Sequence, residues 1–308
     1  MKSQRAFWMQ VQGASRIWTF QSPLTLEMGI TRAQFQSMSE GEFILYNISA
    51  EARSDIYQDW NSQGQYRQVT LRAGYRSWVS VPGAPNDQGQ QTLQSLPLIF
   101  QGNITKAASH RQGPNWVTNI AAWDGGFAVN NSYISTPLEA GTTTEQQFTT
   151  LIAAMKPHVT LGYIDPTLNV QNLTGVSFDG SPWEKITEMA RNLYASAFID
   201  LEKVYIVSMA NPVIPSLTGG LTIITPETGL LDTPEKQQTI VAFPMVFEPR
   251  LKVGQLVTLQ SIETVNNGNY PIVGLDHTGM ISDAVGGDLR TRVYCYYYPA
   301  YTTNGAIQ

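Results

Sequence analysis

Apolar and polar residues alternate along much of this chain, most clearly in its last third. Within residues 253–260, Val257 and Leu259 face one way while Thr258 and Gln260 face the other, the period-two signature of a half-buried strand. Asn266, Asn267, Gly268 and Asn269 follow, residue types that tolerate positive φ and predict a tight reversal. A second strand over residues 270–277 sets Val273 and Leu275 on one face. A third over residues 290–298 sets Val293 and Cys295 against Tyr294, Tyr296 and Tyr298. The pattern predicts an antiparallel meander ending in a tyrosine-rich strand.

The first 135 residues carry the same period. Trp18 and Phe20 alternate with Thr19 and Gln21, and residues 42–48 form a fuller apolar run, as expected of a strand covered on both faces. Ser49 is placed to cap a short helix whose Ala52, Ile56 and Trp60 share a face. Further strands are predicted over residues 68–75, 97–104 and 116–123, with a breaker-rich loop over residues 81–89. Short strands with turn punctuation predict a barrel or sandwich.

The period then changes. Phe148, Leu151, Ile152 and Met155 fall at helical spacing after Gly141, and Pro157 ends that helix. A second helix opens with Ser181 as cap, Pro182 at its first position and Glu184 completing a capping box, and buries Trp183, Ile186, Ala190 and Leu193. Two strands follow, with Glu202 and Lys203 as the hairpin turn between them. The reading is a mainly β chain with an α+β insertion: residues 1–136 as one β-block, 137–210 as the α+β unit and 211–308 as a second β-block.

Only 14% of the 308 residues are charged, and the net charge is −5. No basic stripe is present, which argues against tight binding to a phosphate backbone. Cys295 is the sole cysteine, so no intramolecular disulfide forms and the residue is expected in the core. No segment approaches the ~20 apolar residues of a membrane-spanning helix, and no insertion into a membrane is expected.

Candidate chemistry is sparse. His110, His158 and His277 are scattered, and no metal-ligand, P-loop or nucleophile-elbow spacing occurs. Metal ligands, cofactor and catalytic residues are therefore all expected to be none. Asp276 and His277 are adjacent, but alternation points them to opposite faces of a strand. Asp124, ahead of Gly125 and Gly126, reads as turn chemistry. Glu184 and Glu188 share a helix face, where a capping role is the simpler account. Tyr294, Tyr296 and Tyr298 form a candidate subunit interface, since tyrosine combines an apolar ring with a polar tip; stacking of sugars or bases is the other use of such a strand.

Four stretches, in order, carry a resemblance. They are Phe43 to Ser49 with Arg53 and Ile56, then Val69 to Tyr75; Leu98 to Ile104, then Trp116 to Gly125; Gly141 to Thr143 with its helix, then Thr228 to Pro234; and the closing meander with Pro249, Leu251, Gly254, Asn267, Gly268, Tyr270 and His277 to Gly279. In this arrangement the chain resembles the central baseplate hub proteins of contractile-tailed bacteriophages. The resemblance implies two tail-tube-like β-barrel or sandwich domains and a homotrimer that adapts a sixfold tail tube to a threefold central spike. It implies as partners the tail tube protein, the spike protein, other baseplate proteins and the tape-measure protein. Genome DNA would pass through the channel without specific binding, and the protein would be a virion tail component assembled in the host cytoplasm. The alternatives are a phage-associated cell-wall hydrolase and a carbohydrate- or receptor-binding β-module.

Overall fold

The computed structural model describes residues 4–35, 38–59, 65–76, 93–155, 159–218, 222–283 and 287–297. The chain is mainly β. The first strands are β1 (Arg5–Gln12), β2 (Ile17–Gln21), β3 (Leu26–Ala33), β4 (Glu40–Tyr46), β5 (Gln68–Tyr75), β6 (Leu98–Gln112) and β7 (Asn115–Trp123). The last are β13 (Thr222–Ile224), β14 (Glu235–Gln237), β15 (Ile240–Val246), β16 (Leu256–Leu259), β17 (Gly268–Ile281) and β18 (Leu289–Tyr296). All thirteen belong to one sheet, in the order β14-β15-β18-β17-β3-β4-β7-β6-β5-β1-β2, with β16 branching from β17 and β13 from β16.

That order contains the same pattern twice. Omitting β2, the first set runs β3-β4-β7-β6-β5-β1 and the second β14-β15-β18-β17-β16-β13. Chain order maps one onto the other strand by strand. In each set the long strand, β6 or β17, pairs by its first half with β5 or β16 and by its second half with β7 or β18. A bulge marks the change in both, between Ile104 and Lys106 in β6 and between Ile272 and Gly274 in β17. An extra residue bends a strand and sharpens its twist, which lets one strand serve two ladders. The sets differ in one pairing: β1 runs antiparallel to β5, and β13 parallel to β16.

Equivalent positions carry equivalent core residues. Phe43 opposite Ile120 matches Phe243 opposite Val293, and all four side chains are buried. Burying a phenylalanine of this kind is worth ~1.5–3 kcal/mol relative to exposure. A polar cross-strand pair repeats as well. Ser109 and Thr118 share a hydroxyl hydrogen bond of 2.9 Å, and His277 Nδ1 meets Thr291 Oγ1 at 2.9 Å at the matching place.

Between the two sets lie α2 (Gly126–Asn131), β8 (Ile134–Leu138), α3 (Thr144–Ala154), β9 (Thr160–Ile164), β10 (Val176–Gly180), α4 (Pro182–Asn192), β11 (Ala195–Asp200) and β12 (Lys203–Ser208); α1 (Ala50–Ile56) follows β4. Strands pair as β8-β10 and β11-β12-β9, and α3 and α4 bury Phe148, Leu151, Ile152, Trp183, Ile186 and Ala190 in a cluster of their own. Caps fix the helix starts. Ser49 accepts from Ala52 N–H, Thr143 and Gln146 form a full capping box, and Ser181 accepts from Glu184 N–H. Three hydrophobic clusters form among the described residues, and each draws on neighbouring blocks. Phe247, Ile281 and Leu289 join the first β-cluster, while Phe198 and Val207 join the last.

Several sequence expectations are corrected. Residues 42–48 are covered on one face only: Phe43 and Leu45 are buried, Glu42 is exposed and Ile44 half-buried, because the sheet has a single packed side there. The reversal after β16 uses no positive φ. It is a 3-10 turn over Thr264–Asn266, with Asn267 at φ −73° and its side chain accepting from Ser261 N–H at 2.6 Å. The bulge takes Val273 out of the alternation, so Ile272 joins Leu275 in the core cluster, while Val273 is buried outside that cluster. The β11–β12 turn is made by Leu201 and Glu202, one residue earlier than Glu202 and Lys203. Trp60, residues 81–89, Pro157, His158 and Tyr298 lie outside the described residues.

Candidate assembly interface

The two strand sets meet edge to edge. β3 and β17 pair antiparallel from Gly274↔Ala33 to Ile281↔Leu26, so eight consecutive residue pairs join the first and last blocks. Tyr75 reinforces the join, its hydroxyl donating to Phe247 O at 2.8 Å. At the β17 end, Gly279 adopts φ +133°, and an added Cβ would lie 1.9 Å from Asp288 O; only glycine fits this approach of β17 to the start of β18.

A buried polar cluster ties the α+β unit to this seam. Arg32, on β3, is 1% exposed and grips Asp200 of β11 through two nitrogens at 2.7 and 2.5 Å. Burial lowers the guanidinium pKa, but the Asp200 charge and hydrogen bond outweigh it and the net direction is up. Next to it, Leu201 and Glu202 stand at φ +53° and +58°, a conformation that costs a non-glycine residue ~1–2 kcal/mol. The buried Asp124 carboxylate holds the turn by accepting from both N–H groups, at 2.5 Å from Leu201 and 2.8 Å from Glu202. Burial, with Asp200 close by, pushes Asp124 well above the usual carboxylate range, while the two N–H bonds oppose that rise. The Glu202 side chain then accepts from Tyr66 Oη (2.9 Å), Gln68 Nε2 (3.0 Å) and Gln101 Nε2 (2.6 Å). The two-residue turn is thus locked to the end of β7 by Asp124 and to β5 and β6 by its own Glu202.

The sequence-derived candidates fall as follows. His277 is fully buried and bonds to Thr291, whereas Asp276 accepts from Tyr294 Oη at 2.8 Å on the other face; the pair forms no dyad. Burial, and secondly repulsion from Arg32, lower the His277 pKa to about 3. Asp124 is not simple turn chemistry: its carboxylate crosses to the β11–β12 hairpin, which local sequence could not reveal. Cys295 is buried, and burial pushes its thiol upward. Tyr294 and Tyr296 are half-buried on β18, whose two edges are already taken by β15 and β17. Their rings lie on the open face of the sheet, two strands in from β14. Among the described residues no group of three or more His, Cys, Asp or Glu could hold a metal ion, and no helix is long and apolar enough to cross a membrane.

The open face belongs to the long stretch β14-β15-β18-β17-β3-β4-β7-β6. Residues that alternate with the core positions display Glu27, Glu40, Glu42, Glu235 and Asp276 there, together with Lys106, Arg290 and Arg292. The mixture is polar, with acids ahead of bases.

Solved structures share this architecture. The tail protein from Neisseria meningitidis MC58 superposes with a TM-score of 0.59 at 9% identity, over 96% of this chain and 98% of that one. The 43 kDa tail protein of prophage MuSo2 from Shewanella oneidensis gives 0.59 at 8% identity, over 94% and 97%. The c3393 protein of Escherichia coli, a component of the type VI secretion system, gives 0.56 at 11% identity, over 97% and 79%. At such identities the likeness shows the fold alone: a mainly β chain built on one large antiparallel sheet. No curated protein matches by sequence. The family model described as Baseplate hub gp41 does, across residues 8–279. With its doubled strand order and tail-protein fold, the chain belongs to the baseplate hub gp41 family and is a structural component of the phage tail baseplate.

Proposed function

We propose that the protein works as a homotrimeric ring that adapts the sixfold tail tube to the threefold central spike and forms part of the DNA channel. The observation that carries this reading is the repeated strand order within one chain, its two copies joined edge to edge through β3 and β17. Three such chains, arranged head to tail, present six similar β-units, and a rotation that closes gives a finite ring. Residues 1–136 and 211–308 supply the two tube-like domains, and residues 137–210 the insertion clamped to them by Arg32–Asp200 and Asp124. In this arrangement the open sheet face, outside its contacts with neighbouring subunits, lines the lumen. Its excess of carboxylates over cations suits passage of DNA, which a basic wall would retain.

The partners in this reading are the tail tube protein on one side and the spike on the other, with further baseplate proteins and the tape-measure protein around or within. Tyr294, Tyr296 and Tyr298 are kept as candidate contacts, Tyr294 and Tyr296 through the open face. The test is the mass of the purified chain under assembly conditions, followed by imaging of the ring. A trimer with six density lobes is expected; a monomer at high concentration overturns the proposal. Tyr294→Ala and Tyr296→Ala should weaken assembly, and an unaffected trimer removes the tyrosines from it.

A further inference from the structure

The strand-by-strand correspondence between the two β-units also says where two copies of the chain join. Aligned through their bulges, Gly274 corresponds to Lys106, Asp276 to Ala108, His277 to Ser109 and Thr278 to His110. Aligned through β4 and β15, Gly29 corresponds to Glu235, Ile30 to Lys236 and Thr31 to Gln237. The seam inside the chain pairs Thr278 with Gly29, His277 with Ile30 and Asp276 with Thr31. Among the described residues, the corresponding edges, the second half of β6 and the outer side of β14, pair with no further strand.

We infer that these two edges close the ring: the distal half of β6 pairs antiparallel with the partner subunit's β14, repeating the internal seam. Carrying the register over sets His110 opposite the partner's Glu235, Ser109 opposite the partner's Lys236 and Ala108 opposite the partner's Gln237. The pairing deepens the ring proposed above and rests on it.

Two features outside the alignment fit the same register. Ala107 already exchanges both backbone hydrogen bonds with Gln58, at 2.9 and 2.8 Å, on the side facing away from β7. Gln58 therefore occupies the place that Arg32 holds beside Leu275 at the internal seam. On the other edge, β14 is three residues long and turns back at Gln238, φ +45°, the position corresponding to Arg32. The hairpin ends where a longer strand would collide with Gln58, so the short β14 and the plugged β6 are complementary in length. The second feature is donor–acceptor chemistry, an imidazole N–H facing a carboxylate. An imidazole opposite a carboxylate is a favourable cross-strand pair, and both side chains are exposed in the free chain. Left uncovered, such edges invite uncontrolled pairing; a partner edge of fixed register removes that hazard.

The test is cross-linking of the full chain carrying both His110→Cys and Glu235→Cys. Six strands separate β6 from β14 within one sheet, so a disulfide between these positions has to join two molecules. Mild oxidation is expected to convert the monomer band into covalent dimers and closed trimers on a non-reducing gel. Each single variant, and the shifted pair His110→Cys with Gln237→Cys, should remain monomeric there. A native mass of three chains combined with no cross-link in the His110→Cys/Glu235→Cys protein overturns this seam while leaving the ring intact, as does equal cross-linking of the shifted pair. A wild-type chain that stays monomeric at every concentration overturns both.

Discussion

Removal of Asp200 is the sharpest probe of how the blocks are held together. Asp200→Ala leaves the Arg32 guanidinium 1% exposed and without the carboxylate that meets it at 2.7 and 2.5 Å. At ~4 Å between charge centres and an effective dielectric near 20, the lost attraction is of order 4 kcal/mol. Breaking one side of a buried pair commonly costs ~3–5 kcal/mol, because the remaining charge stays desolvated. Replacing both partners by apolar residues, Arg32→Met with Asp200→Leu, removes the stranded charge and should restore most of that loss. Urea unfolding followed by tryptophan fluorescence and far-UV circular dichroism, with coincidence of the two signals checked, gives the comparison. The coupling between the two sites should be large, and the cost of Asp200→Ala should barely respond to salt, since buried pairs are weakly screened. A loss under ~1 kcal/mol for Asp200→Ala, or a double variant no more stable than the single, would refute the argument.

Further outcomes follow from the same region. His277 has a folded pKa near 3, below the ordinary value of about 6.5, so the unfolded chain takes the proton first as pH falls. The stability linked to His277 is complete above pH ~6.5 and is lost progressively toward pH ~3. About 2 kcal/mol of it is gone at pH 5, and His277→Gln should flatten that slope in a series of melts across pH. Asp124 acts in the opposite sense, because its raised folded pKa favours the folded state as pH falls; the difference between wild type and His277→Gln isolates the histidine. Asp124→Ala deprives the Leu201 and Glu202 N–H groups of their acceptor and should cost ~2–4 kcal/mol. Adding Leu201→Gly, which relieves a positive φ, should recover about 1 kcal/mol of that in the same unfolding assay.

The sequence determined the elements and their faces where the cause is local. Period-two alternation placed β5, β7 and β18 nearly to the residue, and it put Val293 and Cys295 in the core because one face of those strands is packed. Helical spacing with Ser49 and Ser181 as caps fixed α1 and α4, since capping is decided within four residues. The ordered segments also carried the family resemblance, and with it the mainly β, two-unit architecture. Tertiary structure decided what depends on distant partners. A bulge at Val273 answers to two ladders at once and leaves no mark in the alternation. Leu201 and Glu202 hold a left-handed turn because Asp124, far away in sequence, supplies the acceptor. The β3–β17 seam, and the free edges that correspond to it, arise from strands some 245 residues apart. An edge strand is spelled like an interior one, and only the assembled sheet shows which edges remain open.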